Sequence, residues 1–164
     1  MPNDHRDQAT ISKGLLAGLA ATAVLSALMW VKAMMGVMPE LDLPGMLASM
    51  MGAPDTPALG WAAHLMIGIV GYGLLISKAG LLATGSPITN GIVLAAVGWL
   101  VMMVVLMPLA GAGLFALSLG LMAPLMTLML HLIFGAVLGW AFGRLVSDAR
   151  AMGGHHRPGQ PRHV

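Results

Sequence analysis

The chain of 164 residues contains no cysteine, so disulfides, thiolate metal sites, iron–sulfur clusters and cysteine nucleophiles are excluded at the outset. Charge is almost as scarce: Asp, Glu, Lys and Arg together make up 9% of the residues, and none occurs between Gly91 and Gly143. With 58% hydrophobic residues and a mean hydropathy of +0.87, the chain cannot cover a soluble globule with polar side chains. The uncharged run is long enough for two membrane spans of about 20 residues each. The apolar stretches also lack an intramembrane carboxylate and the patterns G-x-S-x-G, H-E-x-x-H and the phosphate loop, so a non-enzymatic role is expected. Tyr72 and Ser77 are isolated. The net charge of +2 does not point to nucleic acid, because the basic residues sit mostly at the ends of hydrophobic runs, where membrane topology accounts for them.

What is present reads as an all-α membrane protein with four transmembrane helices. Residues 1–11 form a polar N-terminal tail. A membrane domain over 12–147 follows, with spans at about 13–38, 57–77, 91–107 and 124–143, and 148–164 is a basic tail with the composition of disorder. The first span is capped by Ser12 and ends before Pro39, since proline disfavours helical geometry in the residue before it. Its apolar part is longer than a signal-peptide core and no small-x-small cleavage site follows, so it is retained. Between spans one and two, "MPELDLPGMLASMMGAPDTP" contains a short apolar piece, Pro44 to Met51, suited to lying in the interface. Residues 108–123, rich in Gly, Ala and Leu, make the connection between spans three and four.

Arg6, Lys13, Lys78, Arg144, Arg150, Arg157 and Arg162 fall on one side of this arrangement, and only Lys32 lies toward the other. The excess of positive charge puts both termini in the cytoplasm. Trp30 and Trp61 belong to the outer aromatic belt and Trp140 to the inner one. The tail histidines His155, His156 and His163 are expected to be solvated.

The spans contain an internal repeat. Span one ends "MMGVMP" and span three "MVVLMP", so Met34 and Met103 occupy the same place in an M-x3-M-P block. Span two opens "PALGWAAHLMIGIV" and span four "PLMTLMLHLIFGAV", which align Pro57 with Pro124, His64 with His131 and Gly68 with Gly135. Proline and histidine matches carry weight in so apolar a chain, and the pattern reads as two tandem helical hairpins related by a pseudo-two-fold axis along the membrane normal. Both histidines then lie about 10 Å in from the outer end, and Met34 and Met103 at about the same depth, from the 1.5 Å rise per residue.

A histidine at membrane depth usually faces the bundle interior. Two copies at one depth could point at a single ligand, which gives two candidate sites. In the first, His64 and His131 are the axial ligands of a b-type haem, Gly68 and Gly135 leave room for the macrocycle, and Lys32 pairs with a propionate. In the second, His64, His131, Met34 and Met103 hold Cu(I) through imidazole and thioether. The structural alternatives are that the histidines only hydrogen-bond neighbouring helices, the glycines let helices approach, the methionines fill gaps and Lys32 snorkels to headgroups. Two further roles remain open: a cofactor-free structural or assembly subunit of a larger membrane complex, and a small transporter that forms a homo-oligomer around a pore.

Through its length, its hydropathy and the segments "HLMIGIVGYG" and "HLIFGAVLGWAFG", the chain resembles small four-helix bacterial and archaeal inner-membrane protein families of unknown function. That resemblance implies a fold and a location, and no activity. The M-x3-M spacing is similar to the methionine pairs of eukaryotic copper-uptake channels over those few residues alone, and one histidine in each of two helices is similar to the haem b anchors of respiratory enzymes.

Overall fold

A computed structural model describes residues 2–82 and 85–154 of the chain. His155, His156, His163, Arg157 and Arg162 lie outside the described residues. Seven α-helices, α1 (Pro2–Met34), α2 (Leu43–Met50), α3 (Pro57–Met66), α4 (Tyr72–Leu82), α5 (Pro87–Val101), α6 (Met107–Leu109) and α7 (Met122–Gly154), are described, with no strand among the described residues. Two π-helical turns, Ile67–Gly71 and Met102–Leu106, join α3 to α4 and α5 to α6, and a 3-10 segment, Leu114–Leu119, precedes α7.

Four of the resulting rods are long and apolar enough to cross a membrane: Asp7–Met34, Pro57–Ala79, Pro87–Leu109 and Met122–Ala149. They carry exposed Leu, Val, Ile and Met along their outer faces, as at Leu16, Val24, Leu65, Val93, Leu100 and Ile133. A soluble monomer does not leave so much apolar surface in water. This is the architecture of a multi-pass membrane protein. Successive spans run antiparallel, so the two termini share one end of the bundle, and α2 and the 3-10 segment share the other, here called the connector end.

Span one begins earlier and ends earlier than its sequence indicates. Proline is well tolerated in a first helical turn, and α1 runs from Pro2 through the polar segment without a break. It stops at Met34, short of Met38, because Gly36 adopts φ +64°. There Val37 N–H donates to the Lys32 carbonyl at 3.1 Å and Gly36 N–H to the Ala33 carbonyl at 3.1 Å, the paired bonds of a Schellman cap. Gly52 ends α2 in the same manner, and Gly111 closes span three.

Span three, by contrast, passes through its proline. Met107 N–H donates to the Met102 carbonyl five residues back, so the helix widens by one residue immediately before Pro108. A proline ring in an α-helix presses on the carbonyl four residues back, and a widened turn at that place changes the register it meets. Gly111, and not Pro108, terminates the span.

Spans one and two, and spans three and four, approach through glycine. A Cβ on Gly14 would collide with the Gly73 carbonyl and the Ser77 hydroxyl; one on Gly91 would meet the Gly135 carbonyl, and one on Gly139 the Pro87 carbonyl. Such contacts are how membrane helices gain van der Waals packing where lipid supplies no hydrophobic drive. The main core joins all four spans through Ala17, Ala21, Leu25, Ile76, Ala95 and Phe134, with Leu138 fully buried beside them. A second cluster at the connector end gathers Met102, Met103, Met107, Ala112, Ala116 and Ala123.

Around the bundle, α1 packs along both span two and α7, and α7 also packs along α5. Spans two and three meet chiefly through α4 and α5, near the end that holds the termini. Toward the connector end they stand apart, and a gap opens between them.

Candidate functional site

That gap is a cavity of about 390 Å³ whose lining comes from all four spans and from α2. Its walls are overwhelmingly apolar, with no Asp, Glu, Lys or Arg among them. Its polar side chains are Thr22, His64, Tyr72 and His131. Leu43 and Leu47 of α2 cover it at the connector end. Both π turns border it, through Ile67 and Gly68 on one side and Met102 and Leu106 on the other. Such turns are rare and recur at functional sites.

Each polar group has a distinct set of partners. The Thr22 hydroxyl donates to the Gly18 carbonyl at 2.6 Å, which satisfies it within its own helix. His131 Nδ1 lies 2.8 Å from the Thr127 carbonyl. A carbonyl only accepts, so Nδ1 carries the proton and Nε2 holds the lone pair. No group in the chain donates to that Nε2 among the described residues, and it is not sealed in the interior. His64 is buried, with Nε2 at 3.4 Å from the Ser26 hydroxyl on α1 and its ring edge-on to Trp61, centroids 5.7 Å apart.

Tyr72 stands edge-on to Phe134 at 4.9 Å, and its hydroxyl end lies where a Cβ on Gly98 would be. Its hydroxyl has no hydrogen-bond partner among the described residues and is not fully sealed.

Behind His131, toward the connector end, is a smaller cavity of about 40 Å³ that also touches Lys32 and Thr127. Lys32 is half-buried and donates from Nζ to the carbonyls of Met38 at 2.9 Å and Leu41 at 2.8 Å. It therefore pins the loop that follows α1; Met38 itself adopts φ +48° in that loop.

The residues singled out in the sequence divide accordingly. His64, His131 and Gly68 line one cavity, and Lys32 lines the next. Gly135 lies against the Gly91 backbone and Ala95, and Gly68 against Thr22, so the space left by each missing side chain is filled by a neighbouring helix. Met34 is 70% exposed on the outside of the bundle, whereas Met103 is fully buried in the connector-end cluster. Neither lines either cavity. No group of three or more His, Asp, Glu or Cys that could hold a metal ion occurs among the described residues.

Sequence reasoning set Tyr72 aside as isolated and did not single out Ser26, Thr127 or Trp99. Thr127 was accessible, since a residue four before His131 lies on the same helix face. Trp99 donates from Nε1 to the Thr127 hydroxyl at 3.1 Å, a contact between helices that no local spacing announces. Tyr72 joins the site because Gly98, on another span, leaves a place for its hydroxyl end.

The chain belongs to a family of unknown function, DUF6789, whose profile matches residues 8–152. This bears out the expectation of a family without an assigned activity. No curated protein and no solved structure matches the chain significantly.

Proposed function

We propose that this protein holds one largely apolar molecule, drawn from the bilayer, in the cleft between spans two and three, with His64 and His131 as polar contacts and no covalent chemistry of its own. The observation that carries this reading is the cavity of about 390 Å³ with two imidazoles in a largely apolar, uncharged wall. A void of that size left empty would be costly, at about 24 cal/mol per Å³ in soluble cores. Water is a poor filler for so apolar a lining. The test is extraction and mass spectrometry of the detergent-purified protein beside a Val97→Trp variant, which fills the cleft. One retained species per chain, depleted in the variant, is expected; an identical profile in both overturns the reading.

A second reading has its own observation. The tautomer of His131 leaves Nε2 free, the arrangement an axial haem ligand requires, and His64 lines the same cavity. Bis-histidine haem b would need the His64 ring to release Ser26, and Lys32 to leave two carbonyls for a propionate. A Soret band lost in the His64→Ala, His131→Ala double variant would support it; a spectrum without one ends it. For Cu(I), Met34 would have to turn inward from the surface, and elemental analysis of the same sample decides. A structural or assembly role predicts instead a co-purifying larger partner, and a transporter a homo-oligomer in light scattering.

We also read the chain as a duplicated hairpin with both termini cytoplasmic, in a bacterial-type inner membrane. Thr22 meets Gly68, and Gly91 meets Gly135; the aligned M-x3-M-P blocks put Thr22 opposite Gly91, so both contacts join matching positions. The same alignment pairs Trp30 with Trp99. Reporter fusions at the two termini and within residues 111–121 test the orientation.

A further inference from the structure

We infer that the occupant of the cleft is a lipid quinone or quinol, a flat oxygen-bearing ring on an apolar tail; this rests on the ligand-binding reading above and names its chemical class. The argument starts from which hydrogen bonds the cleft leaves unmade. His131 Nε2 offers a lone pair, because Nδ1 donates to the Thr127 carbonyl at 2.8 Å. The Tyr72 hydroxyl has no partner in the chain among the described residues. His64, held at 3.4 Å from Ser26, adds a second imidazole. The site therefore asks for a donor at one point and an acceptor at another, in surroundings where an unmet polar group is expensive.

An acyl chain supplies neither. A phospholipid headgroup supplies formal charge, and no Asp, Glu, Lys or Arg lines the cleft to meet it. A neutral ring with oxygens on opposite edges supplies both, accepting from Tyr72 and, in its hydroxyl form, donating to His131. The edge-on pair Tyr72 and Phe134 gives that ring an aromatic wall, the geometry aromatic groups prefer. A volume of about 390 Å³ is near the lower limit of small-molecule sites, about 300–1,000 Å³. It takes a headgroup and the start of a tail, and the remainder leaves between spans two and three past Leu75, Val97 and Val101, which are exposed on the lipid-facing side of the same cavity.

The test uses the full chain in phosphatidylcholine nanodiscs, titrated with decylubiquinone and separately with decylubiquinol, and read by quenching of tryptophan fluorescence; Trp61 sits against His64. Decylbenzene, with the same tail and no oxygen, is the competitor. Saturable quenching is expected, with decylbenzene displacing the quinone only at concentrations at least tenfold higher. Tyr72→Phe and His131→Ala should each raise the half-saturation concentration about tenfold, the upper range for one hydrogen bond. Tyr72→Phe removes a hydroxyl that makes no hydrogen bond among the described residues and keeps the ring, so it separates binding from folding, and His131→Gln should recover part of the loss.

Equal competition by decylbenzene, or titrations indifferent to Tyr72→Phe and His131→Ala, overturns the quinone assignment and leaves the apolar-ligand reading standing. Absence of saturable binding by all three compounds, with no species retained in the extraction experiment, overturns both.

Discussion

The two hairpins close their helix contacts alike and finish their connector ends differently. In the first, the glycine within "MMGVMP" turns the chain at φ +64° and ends α1 in a Schellman cap. In the second, Val105 stands in that place, the helix widens through Met102–Leu106, and it continues past Pro108 to Leu109. The consequence for two methionines at matching places is large: Met34 is 70% exposed, and Met103 is fully buried. The histidines diverge in a similar way, His64 bonding across to Ser26 on another span and His131 back to Thr127 on its own. Similar strings share surroundings only where the backbone takes the same path, and one glycine is enough to part them.

The glycine contacts offer the strongest way to break the likeness between the hairpins. A Cβ at position 91 meets backbone of Gly135 and Gly139, while the nearest atoms to one at position 68 belong to the Thr22 side chain. Backbone cannot turn aside and a threonine rotamer can, so Gly91→Ala should destabilise by about 3 kcal/mol and Gly68→Ala by about 1 kcal/mol, within the range for overpacked interiors. Equilibrium unfolding of the detergent-solubilised protein would measure both, and equal losses would mean that the Thr22 contact is as rigid as backbone.

Lys32 comes next, because it has no counterpart. It aligns with Val101, and only the first hairpin ties its connector with an ammonium group. Lys32→Met should cost about 2 kcal/mol, since bonds to charged groups are worth about 1.5–3 kcal/mol. Proteolysis at the loop after α1 should accelerate in the same variant, while the loop after α6 stays unaffected.

Gly36→Val asks whether the first hairpin can be made to end like the second. A β-branched residue at φ +64° is strained by about 1–2 kcal/mol, and unfolding midpoints would register the loss; no change would indicate that α1 had extended as span three does. The smallest effect is expected for Pro108→Ala. The widened turn already accommodates a residue without an N–H, so stability should move by no more than about 0.5 kcal/mol, as for most substitutions away from special features. A larger loss would show that the proline itself holds the turn.

Much of the fold was legible in the sequence because its signals are local. Hydropathy and the uncharged run from Gly91 to Gly143 set four spans, and the described rods fall close to the expected positions. Helix ends were misjudged where a Schellman glycine outranked the nearby proline, at Gly36 and Gly111, although glycine is the stronger C-terminal signal. The proline of an M-x3-M-P block was a poor stop signal because a π turn lets a helix run through it. Of the residues that line the cavity, the two histidines and Gly68 stand out in the sequence by their spacing. Tyr72 was not, because its place depends on Gly98 across the cleft, and Met34 and Met103 were grouped by depth when rotation about the helix axis, which a π turn or an early cap resets, decides what each one faces.

The sequence by itself determined that this chain lives in a membrane, in four helices, with two histidines at similar places along spans two and four, since burial of apolar length and the cost of intramembrane polarity act on each segment alone. Only the tertiary structure decided that α1 and α7 close on each other while spans two and three part toward the connector end, and that the opening gathers His64, His131 and Tyr72. Those outcomes depend on which backbones meet at glycine and where a helix gains a residue, and both are properties of pairs of helices.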